Sequence, residues 1–239
     1  MKVTSKCLIS FVSRFICYNK WKLVYYDEGG AILKLTKQFK EFIDSQYSKP
    51  RGIWGMYIGE KMVKQHRLET LWTIKLLKLQ QDENILELGC GAGYAMKLLL
   101  EQSNVSQVVG VDNSQSILQS ATIRNRKEIR KGRARVVQGN VNQWAFQDEY
   151  FTKIFSIHSV HFWDNLPKII SDIYKALKPE GTIILTVCNG KNGETYNGIK
   201  SMLEEQIIPI MEQNKFKNIE LIKGPDSRQF QTVAVKGYK

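Results

Sequence analysis

One stretch, Ile85-Leu86-Glu87-Leu88-Gly89-Cys90-Gly91-Ala92-Gly93, constrains this chain more than any other. Its apolar half reads as a strand and the residues after it as a helix. The glycines therefore turn the chain at the carboxyl edge of a sheet, where open α/β folds bind ligands. Glycine at Gly89, Gly91 and Gly93 lets a ligand approach the backbone and lets the chain turn tightly. The start of the following helix presents amide groups that favour a carboxylate.

The spacing narrows the ligand. A dinucleotide fold wants G-x-G-x-x-G, but counting from Gly89 the sixth position is Tyr94, and from Gly91 it is Met96. Both frames fail. Glu87, just before the turn, would repel a pyrophosphate and suits a ligand that carries an ammonium group. The alternative for Glu87 is a solvated loop acid.

Around this turn the pattern alternates strand and helix, which points to a largely parallel sheet. Strands are expected at Asn84–Leu88, Gln107–Asp112, Ala134–Gln138, Lys153–His158 and Thr182–Cys188. Helices are expected over Gly93–Glu101, Ser114–Lys131 and Leu166–Leu177. Lys178-Pro179-Glu180-Gly181 reads as a turn in which Gly181 takes the positive φ that ends a helix. Two late runs, Lys217–Ile222 and Gln229–Val235, read as an antiparallel pair at the sheet edge, which brings the strand count to seven. Residues 1–74 differ: short helical segments broken at Glu28-Gly29-Gly30 and Ser48-Lys49-Pro50-Arg51-Gly52 suggest a helical N-terminal cap before a domain over 75–239.

An acid followed by G-x-G-x-G is the first motif of the class I S-adenosylmethionine-dependent methyltransferases, and from about residue 49 onward the chain resembles that family. Glu87, Gly89, Gly91 and Gly93 match the motif position for position. The resemblance implies a Rossmann-like, seven-stranded, mostly parallel sheet with helices on both faces. It also implies S-adenosylmethionine as cofactor, with its methionine part held by this turn, Cys90 included.

Further residues recur in the family's order. Asp112 in Gly110-Val111-Asp112-Asn113-Ser114 ends the second strand, where a carboxylate can accept two hydrogen bonds from a ribose diol; Asn113 adjoins it. A helix N-cap is the other reading of Asp112. Asn140 and Val141 follow the third strand. The family usually has Asp where Asn140 stands, accepting from the adenine amino group, and an Asn carbonyl can accept the same bond. A plain turn asparagine is the alternative.

The fourth strand and its exit, Lys153 to Trp163, resemble the substrate-facing edge of the family's small-molecule branch. There His158 can contact the cofactor's methionine end or take a proton from the acceptor, and His161 and Trp163 stand toward the acceptor. His161 reads equally as a packed, hydrogen-bonded residue. Upstream, Lys49-Pro50-Arg51-Gly52 through Met62 is similar to a segment in a bacterial subgroup of these enzymes. Trp54, Met56, Tyr57 and Met62 can roof an active site or simply pack.

Composition decides the partner question only in part. The formal net charge is +12, and residues 1 to 40 carry eight Lys/Arg against two Asp/Glu. The run from Arg124 to Arg135 holds seven basic residues and one acid. It lacks the interleaved aromatics of a base-stacking surface and reads as a solvated outer helix. An RNA acceptor therefore stays an alternative to a small organic one, though the Asn/Asp-Pro-Pro-aromatic and Pro-Cys motifs of nucleic-acid methylating relatives are missing. A non-catalytic protein that kept the cofactor fold is a third reading.

The cysteines, Cys7, Cys17, Cys90 and Cys188, show no zinc spacing, and reduced thiols in a cytoplasmic protein account for them. Arg14 interrupts the apolar run at Cys7–Val12, so no secretory signal is expected. No run has the length of a membrane span. Oligomeric state and the atom methylated leave no mark on these residues.

Overall fold

The computed structural model describes residues 52–102 and 105–239, with side chains from Gly59 onward. Most of the expected cap lies outside these residues. Its described part is two helices, α1 (Gly52–Gln65) and α2 (Arg67–Leu76).

The alternating runs then form a sheet as expected: β1 (Glu83–Leu88), β2 (Val105–Asp112), β3 (Ala134–Gln138), β4 (Phe151–Ile157) and β5 (Leu177–Lys191). Helices α3 (Tyr94–Leu100), α4 (Gln115–Arg130) and α5 (Leu166–Ala176) join them. A two-residue strand, β6 (Glu194–Thr195), follows, and the chain then runs through α6 (Asn197–Ser201), a π-helical stretch and α7 (Ile208–Gln213) into β7 (Lys217–Lys223) and β8 (Phe230–Tyr238).

The strand order is β3-β2-β1-β4-β5-β8-β7, with β6 paired onto β5 alone. Strands β1 to β5 pair in parallel, whereas β8 runs antiparallel between β5 and β7. The count is therefore eight, one more than the expected seven. β5 continues past Cys188, turns at Asn192 and Gly193, both at positive φ (52° and 85°), and pairs back through β6. The turn expected at Lys178–Gly181 lies inside β5, and the positive φ falls on Glu180 (62°), not on Gly181. Glycine is required at 181 for another reason: a Cβ there would stand 2.7 Å from the Lys178 carbonyl oxygen.

Side-chain alternation along the strands divides the core. Leu86, Leu88, Ile154, Ile183, Leu185 and Val235 form one cluster with Ile169, Ile173 and Met211 from α5 and α7. Ile85, Phe155, Ile184 and Ala234, their neighbours in sequence, form the other cluster with Ile74, Met96, Leu118 and Ala121 from α2, α3 and α4. Glu87, two residues from Ile85, thus shares this second face. Thr73 of α2 and Thr186 of β5 meet there, hydroxyl to hydroxyl, at 2.8 Å. Gly59 lets α1 come close to α4, since a Cβ would meet Ile117 at 2.9 Å.

Strand order reverses between β2-β1 and β4-β5, so connections leave β1 and β4 toward opposite faces. The exits of these two strands are left side by side with a crevice between them, the place where a doubly wound sheet takes its ligand. No helix among the described residues is long and apolar enough to cross a membrane.

Phe155 is fully buried in the centre of the second cluster. Phe155→Ala should cost about 3–5 kcal/mol of unfolding free energy, read from urea denaturation, because the cavity left beneath the sheet cannot collapse.

Candidate active site

The turn after β1 is built as the glycine spacing requires. Gly89, Gly91 and Gly93 all have positive φ, at 79°, 50° and 70°. An L side chain is strained at each. At Gly89 a Cβ would also stand 2.5 Å from the Ser159 side chain. The turn is held against β2, whose Val111 carbonyl accepts both the Gly89 amide (2.8 Å) and the Cys90 amide (3.0 Å). Ser159, two residues past the end of β4, supports it by donating to the Leu88 carbonyl at 2.9 Å.

Asp112 sits at the end of β2, directed at this turn. Its Oδ2 accepts the Gly91 amide and its Oδ1 the Ser114 amide, each at 2.9 Å. The helix N-cap is Ser114, whose side chain accepts from Ile117, so Asp112 is not consumed by capping. Burial raises the Asp112 carboxyl above its ordinary pKa, and the backbone donors at Ser114, Gly91 and Asn113 pull it back down.

Glu87 lies alongside. It is 4% exposed, and its Oε2 has no hydrogen-bond partner among the described residues. Burial, reinforced by the Asp112 charge, pushes its carboxyl well above the usual carboxylate range, against a smaller opposite pull from the Met96 amide. The same two influences raise the Cys90 thiol. A buried carboxylate with an unpartnered oxygen, next to a second, half-buried one at a glycine turn, calls for a cationic donor, since unpaired buried charge is costly. An α-ammonium group fits that demand, and the diol of an adenosine fits the spare lone pairs of Asp112.

Asn140 follows β3 and caps a short 3-10 turn, Val141–Gln143. Its Oδ1 accepts from both the Asn142 amide and the Asn142 side chain, each at 3.0 Å. Val141 packs against the first core cluster.

His158 lies just past β4 rather than within it, at φ 56°, with its amide donated to the Thr186 carbonyl at 2.8 Å. Burial first, then the charges of His66, His161 and Arg228, hold its imidazole well below the usual histidine pKa, so it is neutral at neutral pH. His161 is exposed and its ring lies 4.1 Å from that of Phe162. Trp163 is 8% exposed in the first core cluster, and its indole N–H has no partner among the described residues. Trp54 and Tyr57 belong to α1, but their side chains lie outside the described residues.

The structure brings together residues that the sequence left unconnected. Arg124, from the basic run, donates to the Ala92 carbonyl in the glycine turn and grips Glu60 of α1 through Nη2 at 2.7 and 2.6 Å. Asn125 donates to the Gly93 carbonyl at 3.0 Å. His66 and Glu69 stand beside His158, with ring centroids of the two histidines 4.4 Å apart. No motif announces these contacts, because each reaches a partner remote in sequence.

Comparison with known proteins bears on the same region. A methyltransferase-domain family model matches residues 86–185. An uncharacterised methyltransferase of Bacillus subtilis strain 168, YdaC, is 29% identical over 132 residues, covering 55% of this chain and 71% of that protein. A methyltransferase from Aquifex aeolicus, described as S-adenosylmethionine-dependent, superposes with a TM-score of 0.62 at 16% identity, over 76% of this chain and 97% of that one. Phosphoethanolamine N-methyltransferase 2 of Haemonchus contortus, solved with S-adenosylmethionine, gives a TM-score of 0.59 at 18% identity. The match covers 72% of this chain and only 52% of the nematode chain.

The raised pKa of Glu87 sets a sign. A carboxyl whose pKa is higher folded than unfolded binds its proton more tightly in the native state. Its contribution to stability is therefore lost as pH rises from the ordinary carboxylate range through the folded pKa. Glu87→Gln removes that loss. Without ligand, the variant should melt a few degrees higher than the parent at pH 8, about 2–4 °C per kcal/mol for a domain of this size. The gap should narrow toward pH 4.5, as followed by calorimetry.

Proposed function

Because the chain belongs to the class I S-adenosylmethionine-dependent methyltransferase family, we propose that it moves the cofactor's methyl group to a small organic acceptor by in-line displacement. The observation that carries the site assignment is the pairing of Glu87 and Asp112. Glu87 is buried and Asp112 half-buried beside three left-handed glycines, and one Glu87 carboxylate oxygen is left without a donor among the described residues.

Each residue then has a physical task. Glu87 and the backbone of Gly89, Cys90, Gly91 and Gly93 hold the amino-acid end. Asp112, already fixed by the Gly91 and Ser114 amides, offers its remaining lone pairs to the ribose, next to Asn113. Asn140 and Val141 flank the adenine, Val141 as an apolar wall and Asn140 through its side-chain amide. S-adenosylmethionine supplies a methyl group already activated by the sulfonium charge, so alignment and exclusion of water can provide much of the rate. His158, neutral and beside the turn, can receive a proton from the acceptor or hold it by a hydrogen bond.

On this reading residues 75–239 bind the cofactor. His161 and Trp163 belong to the neighbouring wall. The acceptor class is favoured by the exit of β4, Ser156-Ile157-His158-Ser159, and by kinship with enzymes such as the nematode phosphoethanolamine methyltransferase. An RNA acceptor is less favoured. Arg124 is engaged with Glu60, and Lys131 and Arg133 with Glu128 at 2.9 and 2.7 Å, so the basic run is partly neutralised within the fold.

Calorimetric titration with S-adenosylhomocysteine should show one site, and Asp112→Ala should weaken it by about 1–3 kcal/mol for the loss of a charged hydrogen-bond acceptor. Absence of binding at millimolar ligand would overturn the assignment.

A further inference from the structure

We propose that His66, Glu69 and His158 form a binding site for one divalent transition-metal ion of the zinc type. His66 caps the start of α2 and Glu69 lies one turn on, so the i,i+3 spacing places both on one face. His158 reaches them from the exit of β4. One donor atom from each residue lies within 4.8 Å of the other two.

Glu69 supplies the independent sign that something is to be bound. It is 0% exposed, and neither carboxylate oxygen has a hydrogen-bond partner among the described residues. His66 Nδ1, buried and equally without a hydrogen bond, stands 3.6 Å away, too far for one. Arg228 also comes near, its Nη2 3.8 Å from Oε1 on a side chain 38% exposed. The buried carboxylate and the imidazole nitrogen make only a loose 3.6 Å pairing, a separation that one ion bonded to both donors can span.

The donor set identifies the ion's class. Two imidazoles and one carboxylate suit Zn²⁺, Co²⁺ or Fe²⁺ and not Ca²⁺ or Mg²⁺, which want oxygen ligands. Binding would draw the three donors to about 2.0–2.2 Å from the metal and leave a fourth position open. With His158 as a ligand, its task is to hold the ion instead of taking a proton. The site adjoins the glycine turn, because the next residue, Ser159, bonds the Leu88 carbonyl.

The full chain, reduced and stripped with chelator, is to be titrated with Co²⁺ and then Zn²⁺. One Co²⁺ per chain is expected, with visible d–d bands of a low-symmetry nitrogen and oxygen site, no thiolate charge-transfer band, and displacement by one equivalent of Zn²⁺. H66N and E69Q should each weaken binding by about 100-fold or more. Should E69Q fail to fold, H66N decides, since that side chain is 26% exposed. No saturable Co²⁺ binding, a thiolate band, or affinity unchanged in a folded H66N would overturn the proposal. S-adenosylhomocysteine titration of the same samples separates the two readings. Cofactor binding without metal binding defeats this inference alone, and metal binding without cofactor binding defeats the other.

Discussion

The Val111 carbonyl accepts two successive amides, Gly89 and Cys90, while the next residue, Asp112, accepts a third from Gly91. These three bonds lock the turn after β1 to the end of β2. They exist only because the backbone at Gly89 and Gly91 enters the left-handed region, which points successive amides toward one strand. The position of Asp112, the burial of Glu87 and the start of α3 all follow from that locked turn. The sheet order then places the exit of β4 against it, and Gly89 has no room for a side chain because Ser159 is already there.

The same edge of the sheet concentrates charge that a folded protein ordinarily avoids burying. Glu87 and Asp112 lie on one side of Ser159, and Glu69 lies on the side of His158. Elsewhere the molecule is conventional, with two apolar clusters on the two sheet faces. Buried acids with unpartnered carboxylate oxygens, gathered at one edge, mark a place organised for a ligand and not for stability. A cationic ligand group would relieve the first pair, and a metal ion the third carboxylate.

Part of the basic run between Arg124 and Arg135 is structural. Arg124 is part of the scaffold of the glycine turn, tying α4 to the Ala92 carbonyl and to Glu60. Arg133 is bound to Glu128 and to the Val105 carbonyl at 2.9 Å, which secures the start of β2. A count of charges along the chain cannot distinguish such structural cations from a free electropositive surface, because the partners are backbone carbonyls and acids brought near only by folding.

The sequence by itself determined the alternating α/β architecture, since periodicity and turn residues act locally. It also determined the glycine turn and the acids at Glu87 and Asp112, since left-handed backbone and a strand end are short-range matters. Folding decided that Glu180 and not Gly181 carries the positive φ, while the nearby Lys178 carbonyl leaves no space for a Cβ at 181. It decided that Asn140 spends its carbonyl on Asn142, and that β5 turns back through an eighth strand. Above all, it decided that His66 and Glu69 meet His158, ninety residues along the chain, because α2 packs over β5 while β4 ends beside it. Contacts of that range are set by the closure of the sheet and the packing of its helices, and they leave no local pattern to be read.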